Sequence, residues 1–194
     1  MNIYGKVSKP YWDDKPVAIV GGGSSIIDFD LDMLRGAHVL AVKRAILNIP
    51  WADAGFGLGE MPDKLNGSPG RIYWALPDDE LQPPPVRNIT YLRRAEGLNV
   101  SEDPGVIYSG ATSGFAALQI CIHKRARSIV LFGFDYDEHG SGHSGNWAKW
   151  AEHFRVYVEP LRRLGITIAN ASPQSTIPCF QKVTLMDGVG MLHA

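Results

Sequence analysis

Only two cysteines, Cys121 and Cys179, occur in the 194 residues, too few for a disulfide framework. Cys121 lies in an apolar, helix-like stretch where a buried free thiol is expected. No apolar run approaches the length of a membrane span. Neither sign of charge dominates: the formal net charge of −1 gives no support for a nucleic-acid or membrane-surface partner. The opening MNIYGKVSKPYWDDKP lacks the apolar core of a secretory signal, so a cytoplasmic, reduced protein is expected. Apolar residues at 45% and charged residues at 20% are in the proportion of a soluble globular chain. The length suits one domain, residues 1–194, with a sizeable core.

Strand-like and helix-like segments alternate. VAIV (17–20), HVLAV (38–42), AGFGL (54–58), RIYWAL (71–76) and ITYL (89–92) read as strands. The short continuous apolar run at 17–20 is the pattern of a strand buried on both faces. IIDFDLDMLRG after the first strand reads as a short helix closed by Gly36. TSGFAALQICIHKRA (112–126) places Phe115, Leu118 and Ile122 at helical spacing. SIVLFGFD (128–135) is a strand, NWAKWAEHFRVYVEPLRRLG a long helix, and ITIANA (166–171) closes the series as a last strand. Such alternation predicts a single-domain α/β fold, a Rossmann-like parallel sheet with helices on both faces.

In open parallel sheets, ligands bind beyond the carboxyl ends of the strands, and three polar clusters fall at such ends or open helices. Gly21, Gly22, Gly23, Ser24 and Ser25 follow the first strand, where glycine admits a ligand close to the backbone and amides at a helix start favour an anion. This is neither a dinucleotide fingerprint, because Ile26 stands where a third glycine is required, nor a phosphate-binding loop of the Gly-Lys-Ser/Thr type. Thr112, Ser113 and Gly114 open a helix, where the hydroxyls can cap amides or meet a phosphate or ribose. The third cluster is GFDYDEHGSGHSGNW (133–147). Asp135 and Asp137 there have a spacing that suits a divalent ion carrying a nucleotide phosphate. His139 or His143 could act as a general base, and the glycines around His143 make it the better candidate. His153, in mid-helix, reads as structural.

VAIVGGGSSIIDFDLDML, TSGFAALQICIHKRARSIVLFGFDYD and GHSGNWAKWAEHF, in that order, resemble the bacterial lipooligosaccharide sialyltransferases of glycosyltransferase family 42. They also resemble the wider Rossmann-like group containing the archaeal 6-hydroxymethylpterin diphosphokinases, in a compact form like that of small phage-encoded relatives. The sialyltransferase resemblance implies that Gly21, Gly23, Ser24, Ser25, Thr112, Ser113 and Gly114 hold the nucleotide, and Gly22 and Lys43 are expected to line the same nucleotide site. It implies His143 as the base that deprotonates an acceptor hydroxyl, with Asp135 orienting that base or a ribose hydroxyl. Gly22 and Ser24 stand where that family has asparagine and proline, and Lys43 where it has asparagine. Seven residues separate Asp135 from His143, too few for that family's lid. The diphosphokinase resemblance implies Mg²⁺ held by Asp135 and Asp137. Three readings stay open: glycosyl transfer from a nucleotide sugar, Mg-dependent diphosphate transfer, and a non-catalytic nucleotide-binding module. No cofactor is certain, and a homo-oligomer is left open.

Overall fold

The computed structural model describes residues 4–13, 15–59, 70–77, 88–110, 112–137 and 145–194. Among the described residues nine strands form one parallel sheet: β1 (Pro16–Val20), β2 (His38–Val42), β3 (Ala54–Leu58), β4 (Arg71–Leu76), β5 (Ile89–Ala95), β6 (Val106–Tyr108), β7 (Ser128–Phe132), β8 (Thr167–Asn170) and β9 (Gln181–Lys182). Their spatial order is β6-β5-β4-β3-β2-β1-β7-β8-β9. The chain thus steps outward from β1 to β6, then returns to lay β7 against the other side of β1, with Val17 opposite Ile129 and Val20 opposite Phe132. That reversal is the topological switch point of the sheet.

Alternating side chains of each strand fill two cores. Val17 and Ile19 join Leu40, Phe56, Tyr73 and Leu131 on one face, with Phe115 and Leu118 of α2 (Ser113–His123, following the single turn α1, Ala45–Asn48) and Phe154, Tyr157 and Leu161. Ala18 and Val20 join Val39, Trp74 and Phe132 on the other, covered by Ile46, Ile49, Leu34 and Leu192. Helices therefore lie on both faces, as expected of strands apolar on both sides. Among the described residues no helix is long and apolar enough to cross a membrane.

Three sequence expectations need correction. The segment after β1 forms two 3-10 turns, Ser24–Ile26 and Leu31–Leu34, in place of a helix. Asp30 accepts from the amide of Asp32, the local side-chain bonding by which aspartate competes with helix. The long helix is divided into α3 (Trp147–Glu152), a 3-10 turn (His153–Tyr157) and α4 (Val158–Leu164). Pro160 has no amide to bond back to Val156, and its ring crowds that carbonyl, so the tighter turn takes up the misfit. β8 is not the last strand: β9 and α5 (Leu185–Leu192) follow, α5 opening on a capping box between Thr184 and Asp187.

Candidate functional site

The turn after β1 continues the pairing with β7 beyond the last strand residue. Gly21 N donates to Phe132 O at 2.8 Å and Gly23 N to Gly133 O at 2.9 Å. Next in the series, Ser25 N donates to Oδ2 of Asp135 at 2.8 Å, with the Ser24 hydroxyl at 3.4 Å from the same oxygen. The Ser25 hydroxyl meets that of Ser172 at 2.9 Å, which ties β8's end to the same corner. Gly23 has no alternative here, since a Cβ would lie 2.3 Å from Asp135 Oδ2 and 2.6 Å from Gly133 O. Gly22 differs: a Cβ there would meet nothing within 4 Å.

Asp135 is 3% exposed, and its second oxygen, Oδ1, has no hydrogen-bond partner among the described residues. It forms no ion pair among them either. Beside it, Asn170 at the end of β8 donates through Nδ2 to Phe134 O at 3.2 Å, while its Oδ1 is likewise buried without a partner among the described residues. Ser175 Oγ donates to the same Phe134 carbonyl at 2.6 Å, and Thr176 N to Asp135 O at 2.9 Å. A buried acceptor without a donor is costly, and Asp135 and Asn170 place two of them beyond the end of β7 and at the end of β8.

The start of α2 reaches the same hub. Thr112 Oγ1 caps the helix by accepting from Phe115 N at 3.1 Å and shares a 2.6 Å hydrogen bond with the hydroxyl of Tyr136. Ser113 Oγ accepts from Leu58 N at 3.3 Å, holding the helix start to the end of β3. Gly114 lets Phe134 and Tyr136 close in, its would-be Cβ lying 2.8 Å from the tyrosine hydroxyl. Tyr136 takes a left-handed φ of 55°, a sparsely populated state for a non-glycine residue. Its ring packs edge-on to Phe154 and Trp147, at 5.1 and 5.7 Å between centroids, and burial pushes its phenol well above the usual range. Residues 133–136 thus gather both the β1 turn and the α2 start.

Other expected residues stand apart from this hub. Lys43, also left-handed with φ 55°, holds its ammonium 5.6 Å from the Trp74 ring centre, an interaction with β4. Asp137 is partly buried one residue beyond Tyr136. His139 and His143 lie outside the described residues. Among the described residues no group of three or more His, Cys, Asp or Glu side chains could hold a metal ion, and Asp135 keeps only Oδ1 uncommitted. His153 Nδ1 lies 3.0 Å from Gly110 O, a structural bond at the foot of α2. Burial pushes the Cys121 thiol up and that of Cys179 up to about 11, so neither is a ready nucleophile.

Asn170, Ser172, Ser175, Thr176 and Tyr136 are the contributors that sequence reading missed. ITIANASPQST carries the available signal, a buried strand ending in a run of small polar residues like that after β1. No protein-family model, curated protein or solved structure matches the chain.

Proposed function

We propose that the chain is a nucleotide-dependent transferase whose ligand lies across the crevice between the ends of β1 and β7. The observation that carries this reading is the buried carboxylate of Asp135, placed at the switch point with one oxygen fixed by the Ser25 amide and the other left for an incoming donor. Open α/β sheets bind their ligands at that position. In the specific form of the proposal the donor is a nucleotide sugar, and His143 is the base that deprotonates the acceptor. A non-catalytic binding module is the second reading. The hydroxyl of Tyr136 already sits on the capping oxygen of α2, which leaves the helix start less open to a transferring phosphate.

Thermal melting of the wild type and Gly22→Ala against CMP, CMP-sialic acid, UDP-sugars, GDP-sugars and ATP, each with Mg²⁺ and with EDTA, tests the proposal. A ligand at ~100 times its dissociation constant stabilises by about 2.7 kcal/mol. Gly22→Ala has open space for its methyl group, so its own melting temperature should match or slightly exceed that of the wild type. A ligand that approaches the turn would lose its stabilising effect in this variant. Metal-independent stabilisation by a sugar nucleotide, with release of free nucleotide on incubation with acceptor, supports the transferase. Stabilisation without turnover supports the binding module. ATP acting only with Mg²⁺ would turn the reading to diphosphate transfer, and no response to any of them would sink it.

A further inference from the structure

We propose that residues 5–12, which precede β1, form a strap poised to open as one unit, with Lys124 as its latch. This stands apart from the nucleotide reading, because Lys124 caps α2 at its carboxyl end and Thr112 caps it at the other. Three amides of the strap are held by three different segments. Gly5 N donates to Tyr91 O at 2.8 Å, Val7 N to Pro104 O at 2.9 Å and Trp12 N to Lys124 O at 2.7 Å. The first of these covers a stretch of β5 that β6 leaves unpaired, since β6 meets β5 only from Arg93 to Ala95. The side chains of Val7 and Trp12 are buried in the core with Tyr73 and Leu92, which favours the closed strap.

The latch is a buried ammonium. Lys124 Nζ donates to Ser8 O at 2.7 Å and to Pro10 O at 2.8 Å. It also lies 5.6 and 5.4 Å from the ring centres of Trp12 and Tyr73. Both carbonyls and one of the two rings belong to the strap, and Lys124 forms no ion pair among the described residues. Hydrogen bonds from a charged group keep a larger net contribution than neutral ones once the exchange with water is counted. The two latch bonds therefore hold the strap more firmly than its amides do. Arg71 adds a bond to Lys9 O at 2.9 Å, from an exposed position. One group works against closure: the Tyr73 hydroxyl, beside the latch, is buried without a partner among the described residues. Water satisfies that hydroxyl once the strap lifts, so the closed form carries a cost that the open form lacks. A short segment held by a few bonds and opposed from beneath opens at a lower free energy than the whole domain. Opening takes Trp12 and the Ser8 and Pro10 carbonyls away from the last turn of α2, the helix whose first turn stands at the crevice.

Amide hydrogen exchange of the full chain, read residue by residue by NMR, tests this. Gly5, Val7 and Trp12 should share one degree of protection, about tenfold or more below that of the slowest amides of β1 and β7. Tyr73→Phe deletes the unmet hydroxyl and should slow the exchange of all three about tenfold relative to those strands. Lys124→Met keeps the apolar stem, deletes both latch bonds and should hasten their exchange about tenfold or more. Measuring against β1 and β7 separates the strap from any change in global stability. Three amides with unrelated protection, or with protection equal to that of β1 and β7, overturn the strap as a unit. Exchange left unchanged or hastened by Tyr73→Phe overturns the opposing role of its hydroxyl. Exchange left unchanged or slowed by Lys124→Met removes the latch. None of these outcomes touches the nucleotide reading, which the melting panel decides.

Discussion

Replacing Asp135 by asparagine isolates what its charge costs the ligand-free protein. The amide oxygen can still accept from Ser25 N, which now meets the carboxylate at 2.8 Å. That bond weakens, since a hydrogen bond to a charged group contributes about 1.5–3 kcal/mol and a neutral one about 1. Against the loss stands the desolvation of a carboxylate that is 3% exposed and has no ion-pair partner among the described residues. Such a penalty runs to several kcal/mol even after the surroundings relax. The new Nδ2 takes the place of an oxygen that already lacks a partner, so the count of unmet groups does not change. Desolvation is the larger effect, and Asp135→Asn should be more stable than the wild type by about 1 kcal/mol, or ~2–4 °C in melting temperature for a chain of this size. Urea unfolding followed by tryptophan fluorescence would read this as a higher midpoint at unchanged slope. A variant less stable by about 2 kcal/mol or more would refute the reasoning. Asp135 would then be a staple between β1 and β7 that the fold itself needs, and its free oxygen would mark no ligand site.

Gly23→Ala should behave in the opposite way to Gly22→Ala, losing about 2–4 kcal/mol in the same unfolding assay, because its methyl group would meet Asp135 Oδ2 at 2.3 Å and the Gly133 carbonyl at 2.6 Å. Equal stability of the two alanine variants would mean that the turn is looser than described. His123 offers a pH prediction: burial holds its imidazole down to about 4 from 6.5, with the Asp103 charge opposing in part. The unfolded chain then binds the proton more readily, so the contribution is complete above pH 6.5 and is lost as pH falls towards 4, about 3 kcal/mol in all. The stability of the wild type relative to His123→Leu should therefore fall as the pH falls across that range, and parallel curves would exclude His123 as their source.

Most strands were legible because a parallel strand buried on both faces writes itself as an uninterrupted apolar run, as 17–20 and 38–42 do. β6, with three residues, and β9, with two, are shorter than any period can reveal. α5 was disguised by Gly188 and Gly190 in an eight-residue helix, although Thr184 and Asp187 carried the capping signal. Pro160 announced the break before α4, but the strong aromatic spacing of the preceding turns concealed it. The polar clusters at the strand ends were visible as composition. Their pairing was not, since Ser25 and Asp135 are 110 residues apart and meet only because β7 returns beside β1. That adjacency belongs to the strand order, which no local pattern displays.

The return of β7 to β1 also sets an order of assembly. While the chain is being made, β1 can pair with β2 as soon as His38–Val42 has emerged, but its other side stays open until Ser128–Phe132 follows. For that interval Val17, Ala18, Ile19 and Val20, all fully buried in the finished protein, form an unpaired apolar edge of the kind that templates aggregation. Closing that edge spans more than half the chain, a slow step by the cost of long loops. Asp135 comes just after the closing strand and so reaches Ser25 only once that step is done. The crevice is therefore among the last parts to form, and a chain halted before Ser128 carries the glycine turn without the carboxylate that meets it.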